Sequence, residues 1–207
     1  MTAAGQFVFA GTKHGVFRTS NNGQSWSQAN NGFTAHSDVF AMGASNNIVY
    51  AGIWGQGVGV STDFGNTWII RYNGLANNYI NDIEVLGSTV YAGTEAGIYK
   101  STDNGGNWIF TTTGIQSYSI RKLAVSGSNI FAASYGGGVF VSTNNGNNWS
   151  EVNNGLGSTY TSSIAAVGSV IFTSSDGMYK STNNGANWVL ANNGLFVRPT
   201  TVLRIED

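Results

Sequence analysis

Side chains able to act as acids, bases or metal ligands are few in this chain, which has ten Asp and Glu residues, two His and no Cys. Hydrolysis of a glycosidic bond needs two carboxyl groups held about 5–9 Å apart across a cleft. The most suggestive pair, Asp82 and Glu84, lies two residues apart on one predicted strand, so both side chains point to the same side. We interpret Glu84 as the partner of a basic residue such as Arg204. His14 and His36 lie in different predicted loops without neighbouring ligand residues, so we expect no catalytic residue and no metal site.

The composition argues against several further classes of function. Charged residues make up 9% of the chain and the formal net charge is −1, so we expect no binding of nucleic acid or of an anionic membrane. The glycine run at residues 136–138 is followed by neither a predicted helix nor the lysine of a phosphate-binding loop. We expect no cofactor. No apolar segment is long enough to span a bilayer, and the first residues lack the basic and apolar parts of a secretory signal.

The elements that must position any site are repeats of about forty residues. An octapeptide that ends in Trp recurs five times, at residues 19–26, 61–68, 101–108, 142–149 and 181–188. Successive terminal tryptophans are 42, 40, 41 and 39 residues apart, and a constant period of this size is typical of propellers and solenoids. Each repeat also holds short runs rich in Val, Ile, Tyr and Phe between Gly and Ser residues, which indicates strands.

Each repeat has four such short strands and no helical period, which is the pattern of one propeller blade. The sequence therefore predicts an all-β fold, a five-bladed β-propeller of four-stranded antiparallel blades, as a single domain over residues 1–207. The first repeat lacks a recognisable innermost strand. We expect residues 195–207 to supply that strand beside residues 7–10 and to close the ring, within one chain or by exchange between two.

The octapeptide pattern S/T-x-D/N-x-G-x-x-W resembles the Asp-box, or bacterial neuraminidase repeat, found in sialidases, sortilin-like receptors, some glucanases and photosystem assembly factors. The resemblance implies a hairpin between the third and fourth strands of a blade, on the face opposite an active site. We expect the third residue to accept hydrogen bonds from the turn, the glycine to take a positive φ and the Trp to wedge between blades. The residues at these three positions are Asn21, Gly23, Trp26, Asp63, Gly65, Trp68, Asp103, Gly105, Trp108, Asn144, Gly146, Trp149, Asn183, Gly185 and Trp188.

The sialidase activity of that family does not carry over to this sequence. Asn replaces Asp at three of the five third positions, an exchange that keeps the acceptor oxygen but that a catalytic carboxylate would not tolerate. The family's sialidases use an arginine triad, a Tyr nucleophile with a Glu partner, an acid/base Asp and usually an Arg-Ile-Pro motif, which is absent here. Arg18 adjoins an octapeptide and Arg71 lies on a predicted outer strand, away from a catalytic mouth. We predict that the chain is not an enzyme.

Binding is expected at the turns between the second and third strands, which vary between repeats and lie away from the octapeptides. These turns carry His14, Trp54, Glu95, Tyr135 and Asp176. Loops before the inner strands add His36, Tyr79, Tyr118, Tyr160 and Arg198. Either the aromatic residues only cover the ends of neighbouring blades, or the variable residues of this face form one composite site.

Several functions stay open on the sequence alone. The first is a non-catalytic scaffold or binding module for an unknown protein or glycan, including an engineered or excised propeller with no selected ligand. The second is a carbohydrate-binding, lectin-like propeller, and the third is an accessory propeller of a glycoside hydrolase. We expect a monomer. The Asn-rich repeats favour an exported bacterial origin, whereas a start in the middle of a repeat would suit a designed boundary.

Overall fold

The computed structural model describes residues 1–34, 37–111, 113–115 and 119–195. Within these ranges it contains twenty β-strands and no helix, and so no helix that could cross a membrane. The strands form five four-stranded antiparallel sheets, one for each repeat, which confirms the predicted strand content. The fold is an all-β, five-bladed β-propeller.

Strands run consecutively across every sheet, from the first to the fourth of its repeat. The first sheet consists of β1 (Thr2–Ala4), β2 (Phe7–Thr12), β3 (Gly15–Thr19) and β4 (Ser27–Gln28). The second consists of β5 (Val39–Ser45), β6 (Ile48–Ile53), β7 (Gly57–Ser61) and β8 (Ile69–Arg71). The third consists of β9 (Ile80–Leu86), β10 (Thr89–Thr94), β11 (Gly97–Ser101) and β12 (Ile109–Phe110). The fourth consists of β13 (Ser119–Ser126), β14 (Asn129–Tyr135), β15 (Gly138–Ser142) and β16 (Ser150–Glu151). The fifth consists of β17 (Ser163–Val167), β18 (Val170–Ser174), β19 (Met178–Ser181) and β20 (Val189–Leu190).

The chain divides into two compact units. The first comprises Met1–Thr94 and Tyr99–Phe110 and contains the first two sheets and most of the third. The second comprises Glu95–Ile98 and the chain from Thr111 onward, and contains the fourth and fifth sheets.

The second strand of each sheet carries a large part of the core. Its third residue is aromatic in every sheet, and Phe9, Tyr50, Tyr91 and Phe131 are at most 1% exposed. Burying such a side chain contributes about 1.5–3 kcal/mol to stability. The fourth strands are only two or three residues long, which keeps the outer edge of each sheet short and limits edge-to-edge pairing with other chains.

The first sheet differs from the expectation. Thr2–Ala4 pairs antiparallel with β2, with Thr2 opposite Phe9 and Ala4 opposite Phe7, so the chain's own N-terminal residues occupy the innermost place. The prediction that the first repeat lacks this strand is wrong, because three small residues carry no recognisable strand pattern. Residues 196–207, most of the expected closing segment, lie outside the described residues, and ring closure stays a prediction.

Each octapeptide forms the turn between the third and fourth strands of its sheet. In the second sheet Asp63 Oδ1 accepts hydrogen bonds from Ser61 Oγ at 2.8 Å and from the Thr67 backbone N–H at 2.9 Å. Ser61 Oγ accepts the Gly65 N–H at 2.8 Å. The backbone bond to Oδ1 of the third residue recurs in the other four turns at 2.8–3.0 Å, and the five glycines have φ between +69° and +84°. Asp and Asn therefore perform the same structural task here.

The two octapeptide aspartates are hydrogen-bond acceptors held in the ionised form. Hydrogen bonds from the backbone and side chain of Asn107, then from Ser101, lower the pKa of Asp103 to about 2. Desolvation raises the pKa of Asp63, but its hydrogen bonds, chiefly those from Thr67, outweigh this effect and leave the pKa below its ordinary value. Neither carboxyl group is therefore a proton donor at neutral pH.

The octapeptide tryptophans fall into two groups. Four of them, Trp68, Trp108, Trp149 and Trp188, are only 3–4% exposed. The Nε1–H of Trp68 donates to the Ala29 carbonyl at 2.8 Å, so the side chain reaches the preceding repeat. Trp26 is not buried between blades as expected, because its side chain is 40% exposed.

Candidate functional site

The turn between the second and third strands has the same sequence pattern, aromatic-Gly-x-Gly, in the second and fourth sheets. It starts at Trp54 in one and at Tyr135 in the other. Both glycines of each turn have a positive φ, between +73° and +105°, a conformation that glycine adopts without steric cost. The backbone therefore fixes where each aromatic side chain emerges.

The first of these turns brings Trp54 next to two other exposed aromatic rings, Phe40 on β5 and Tyr79 in the loop before β9. We call these three residues the Trp54 cluster. The rings of Phe40 and Trp54 lie 5.1 Å apart, and those of Trp54 and Tyr79 lie 4.9 Å apart in an edge-on arrangement. Their exposed fractions are 55%, 39% and 45%. The Trp54 N–H donates to the Asp38 carbonyl at 2.9 Å and the Gly55 N–H to the Asn78 carbonyl at 3.0 Å. The first bond joins the turn to the residue before β5, and the second holds the turn against the loop that precedes β9.

The second turn forms the Tyr135 cluster (Glu95, Arg121, Tyr135 and Tyr160), all in the second unit. The rings of Tyr135 and Tyr160 lie 4.9 Å apart and edge-on, and the two residues form an isolated β-bridge. They are 54% and 58% exposed. Thr161 is fully buried, and its Oγ1 accepts the Ser134 N–H at 2.9 Å and donates to the Gly138 carbonyl at 2.9 Å. This anchor fixes the Tyr160 loop against the turn.

Arg121 gives the Tyr135 cluster its charge. Its guanidinium carbon lies 5.3 Å from the centroid of the Tyr135 ring, and Nη1 donates to Glu95 Oε1 at 3.0 Å. An exposed ion pair contributes about 0.2–1 kcal/mol and an exposed cation–π contact about 0.5–1 kcal/mol. Neither contact contributes much to the stability of the fold, but together they hold the guanidinium group beside the exposed ring of Tyr135, which in turn contacts Tyr160.

Two other predicted site residues, His14 and Asp176, belong to neither cluster. His14 sits beside a polar pocket of about 360 Å³, which Lys13 and Gln28 also line. Asp176 Oδ1 accepts a hydrogen bond from the Tyr179 hydroxyl at 3.0 Å; burial, and then this bond, raise the pKa of Tyr179. Arg198 lies outside the described residues, as do His36 and Tyr118. Of the predicted site residues, Glu95 and Tyr135 thus share a partner, Arg121, whereas His14 and Asp176 have separate surroundings.

Sequence reasoning missed Phe40 and Arg121, and it did not pair the aromatic residues. One signal could have found the pairs. Trp54 and Tyr79 are 25 residues apart, and so are Tyr135 and Tyr160, so each turn aromatic has a tyrosine at the same distance in the next repeat. Arg121 gives no such signal, because its partners Glu95 and Tyr135 come from two separate turns.

Ionisable groups show no arrangement typical of a metal centre in the part of the chain that the structure describes. No group of three or more His, Asp and Glu side chains there could hold a metal ion. Four carboxylates have structural partners: Asp63 and Asp103 in their turns, Glu95 with Arg121, and Asp176 with Tyr179. What these residues can offer chemically is recognition through rings and hydrogen bonds.

No protein-family model and no curated protein matches this sequence. Among solved structures, an ancestral GH74 enzyme is similar with a TM-score of 0.61 and 26% identity over 72% of this chain and 23% of that one. YCF48 bound to D1 peptide is similar with a TM-score of 0.67 and 18% identity, covering 86% of this chain and 60% of that one. The computationally designed Ika4 protein has a TM-score of 0.60 and 14% identity, covering 76% of this chain and 99% of that one. The chain therefore spans less than two thirds of the first two proteins, and these likenesses support the β-propeller fold.

Proposed function

We propose that this chain is a non-catalytic β-propeller binding module, and that the Tyr135 cluster is its contact for a protein partner. The observation that carries the proposal is a pair of exposed tyrosines beside a guanidinium group held in place by Glu95. Tyr and Arg are enriched among residues that dominate binding energy. An aromatic pair with few rotatable bonds also loses little conformational entropy on binding.

The chemistry of the cluster suits an extended peptide segment. Arg121 can donate to a carboxylate or a backbone carbonyl of the partner, while Tyr135 and Tyr160 cover apolar side chains next to it. YCF48, which has a similar fold, is bound to a D1 peptide in its structure. This likeness is an analogy of fold, and it supports a peptide as the kind of ligand to test first.

The test is peptide selection followed by calorimetry. Peptides selected from a displayed library on the wild-type protein should bind Tyr135→Ala and Tyr160→Ala at least about 30-fold more weakly, as expected for residues worth about 2 kcal/mol. Ile109→Ala is the matched control, because Ile109 is 62% exposed on β12 and outside both clusters. Equal affinity for the wild-type protein and both tyrosine variants would refute the proposed site.

A second candidate is glycan binding at the Trp54 cluster, which three exposed and uncharged rings favour. Such rings offer flat apolar surfaces on which a sugar ring can lie. A glycan array should then show ligands for the wild-type protein that Trp54→Ala loses and Tyr135→Ala keeps. An array without ligands at high protein concentration would remove this candidate.

We propose three further assignments as well. The geometry of the five turns supports their identification as Asp-boxes of the neuraminidase-repeat family. An accessory role beside a glycoside hydrolase is supported by the fold likeness to GH74 enzymes, of which this chain spans 23% in the ancestral enzyme. The likeness to the designed Ika4 protein supports an engineered propeller without a selected ligand. The carboxyl groups of Asp63, Asp103, Glu95 and Asp176 all have structural partners, which supports a non-catalytic role for this chain.

A further inference from the structure

One contact recurs wherever two consecutive repeats meet. The backbone N–H of the octapeptide Trp donates to the carbonyl oxygen just before a glycine in the final turn of the preceding repeat. The four pairs are Trp68 with Asn31 at 2.8 Å, Trp108 with Asn73 at 2.9 Å, Trp149 with Thr113 at 2.8 Å and Trp188 with Asn154 at 2.8 Å. A Cβ on that glycine would overlap the carbonyl oxygen of the same Trp in every case. Each junction therefore joins an Asn-Asn-Gly-type turn to a Trp.

The octapeptide of the first sheet has no such neighbour among the residues that the structure describes. Trp26 is 40% exposed, against 3–4% for its four counterparts. A Cβ on Gly65 would meet Phe9 of the preceding repeat at 2.9 Å, whereas a Cβ on Gly23 would meet only the ring of Trp26, at 3.9 Å. This surface, Trp26 with Gly23, is the receiving half of a junction, and we call it the head face.

The last sheet presents the complementary half. Phe172 is only half-buried, although its counterpart in each of the other four sheets is at most 1% exposed. Asn193 is exposed, and no described residue lies within 4 Å of a Cβ placed on Gly194, whose φ is +78°. We call this surface, Phe172 with the turn at residues 192–194, the tail face.

We propose that the head face of one copy binds the tail face of a second copy of this chain. The Trp26 N–H would then donate to the Asn193 carbonyl, as the four internal junctions do, and Phe172 would be covered as its counterparts are. Among the described residues, Trp26 and Asn193 are exposed and Phe172 is half-buried, so each of the two faces offers surface to another copy. This departs from the monomer expected from the sequence.

The two faces differ, so the contact is heterologous. Such a contact repeats from copy to copy until a ring closes or a filament grows. The interface requires no new chemistry, because the same residue types already form four junctions within the chain. It is independent of the Tyr135 cluster, and loss of peptide binding would leave this proposal unaffected.

Cysteine cross-linking tests the contact directly, because the chain contains no Cys. At the position before the Trp, Asn107 Oδ1 accepts a 2.5 Å hydrogen bond from Asn73, and Asn187 Oδ1 accepts one of the same length from Asn154. The equivalent residues at the proposed interface are Ser25 and Asn193. Mixing the full-length Ser25→Cys and Asn193→Cys variants under mild oxidation should give a disulfide-linked pair of two chains. Replacing Asn193→Cys in the mixture by Ser128→Cys, on an exposed turn between β13 and β14, should abolish it.

A double variant with both cysteines distinguishes contact between two copies from contact within one chain. Linked multimers support a second copy, whereas a cross-link within one chain, or no cross-link in either format, overturns the proposal. Sedimentation should show masses that are multiples of 21.8 kDa and that rise with concentration. Trp26→Ala should weaken this association by about 30-fold. Asn193→Lys, on an exposed position, provides a second variant that leaves the core intact. If both variants sediment with the same masses as the wild-type protein, the assigned interface is contradicted.

Discussion

Replacing Trp68 by Ala should destabilise the protein far more than replacing Trp26 by Ala, although both residues end an octapeptide. Trp68 is 3% exposed, packs 5.0 Å from the Phe33 ring and donates its Nε1–H to the Ala29 carbonyl. Truncating a buried Trp costs about 3–5 kcal/mol, and the carbonyl left without its donor adds about 1 kcal/mol or more. We therefore expect a loss of about 4–6 kcal/mol for Trp68→Ala.

Trp26→Ala should cost only about 1–2 kcal/mol, because part of the side chain is already in water and no closed cavity forms. The assay is urea unfolding followed by far-ultraviolet circular dichroism. Trp68→Phe is the control, since it keeps most of the apolar contact and loses the hydrogen bond. Similar unfolding midpoints for Trp68→Ala and Trp26→Ala would refute the distinction drawn from burial.

Further predictions concern the turns. Asp103→Asn should leave the melting temperature at pH 7 nearly unchanged, as the natural Asn at equivalent positions implies, whereas Asp103→Ala should lose about 1 kcal/mol or more. Because the pKa of Asp103 is lowered from 3.8 to about 2, its ionised form stabilises the folded state above about pH 4, and this contribution is lost as the pH falls toward 2. Thermal melts between pH 2 and 6 should therefore show a steeper loss for wild type than for Asp103→Asn. Ser61→Ala should cost about 1–3 kcal/mol in urea unfolding, because the buried Gly65 N–H loses its acceptor; an unchanged midpoint would contradict this. Gly155→Ala should prevent stable folding, since its Cβ would overlap the Trp188 carbonyl, whereas Gly87→Ala, with open space around it, should cost only about 1–2 kcal/mol from its positive φ; equal expression and melting of the two would contradict the steric argument.

The sequence predicted the parts of the fold that repeat. Five octapeptides at a nearly constant spacing are sufficient to place the turns, and strands rich in β-branched and aromatic residues lie between them. The hydrogen bonds of Asp63 and Asp103 also follow from residue type, because a short side chain with an acceptor oxygen can reach the backbone of its own turn. Local hydrogen bonding that recurs in five turns can therefore be predicted from the sequence alone.

What the sequence could not predict depends on contacts between distant segments. Thr2–Ala4 was missed because its three residues gain their strand conformation only by pairing with β2. The motif predicts the same burial for Trp26 as for Trp68, and only the neighbouring repeat decides whether that burial occurs. Arg121 became a site residue through Glu95 and Tyr135, which lie 26 and 14 residues away in the chain.

The unequal exposure of the six tryptophans provides the protein with its own optical reporters. Trp26 and Trp54 are 40% and 39% exposed, whereas the other four are 3–4% exposed. Their intrinsic fluorescence should therefore separate into a fraction that dissolved acrylamide quenches readily and a fraction that it hardly reaches. Association of copies would shield Trp26, and a ligand at the Trp54 cluster would shield Trp54. Single Trp→Phe replacements at these two positions would assign each change in quenching to its own event, without an added label.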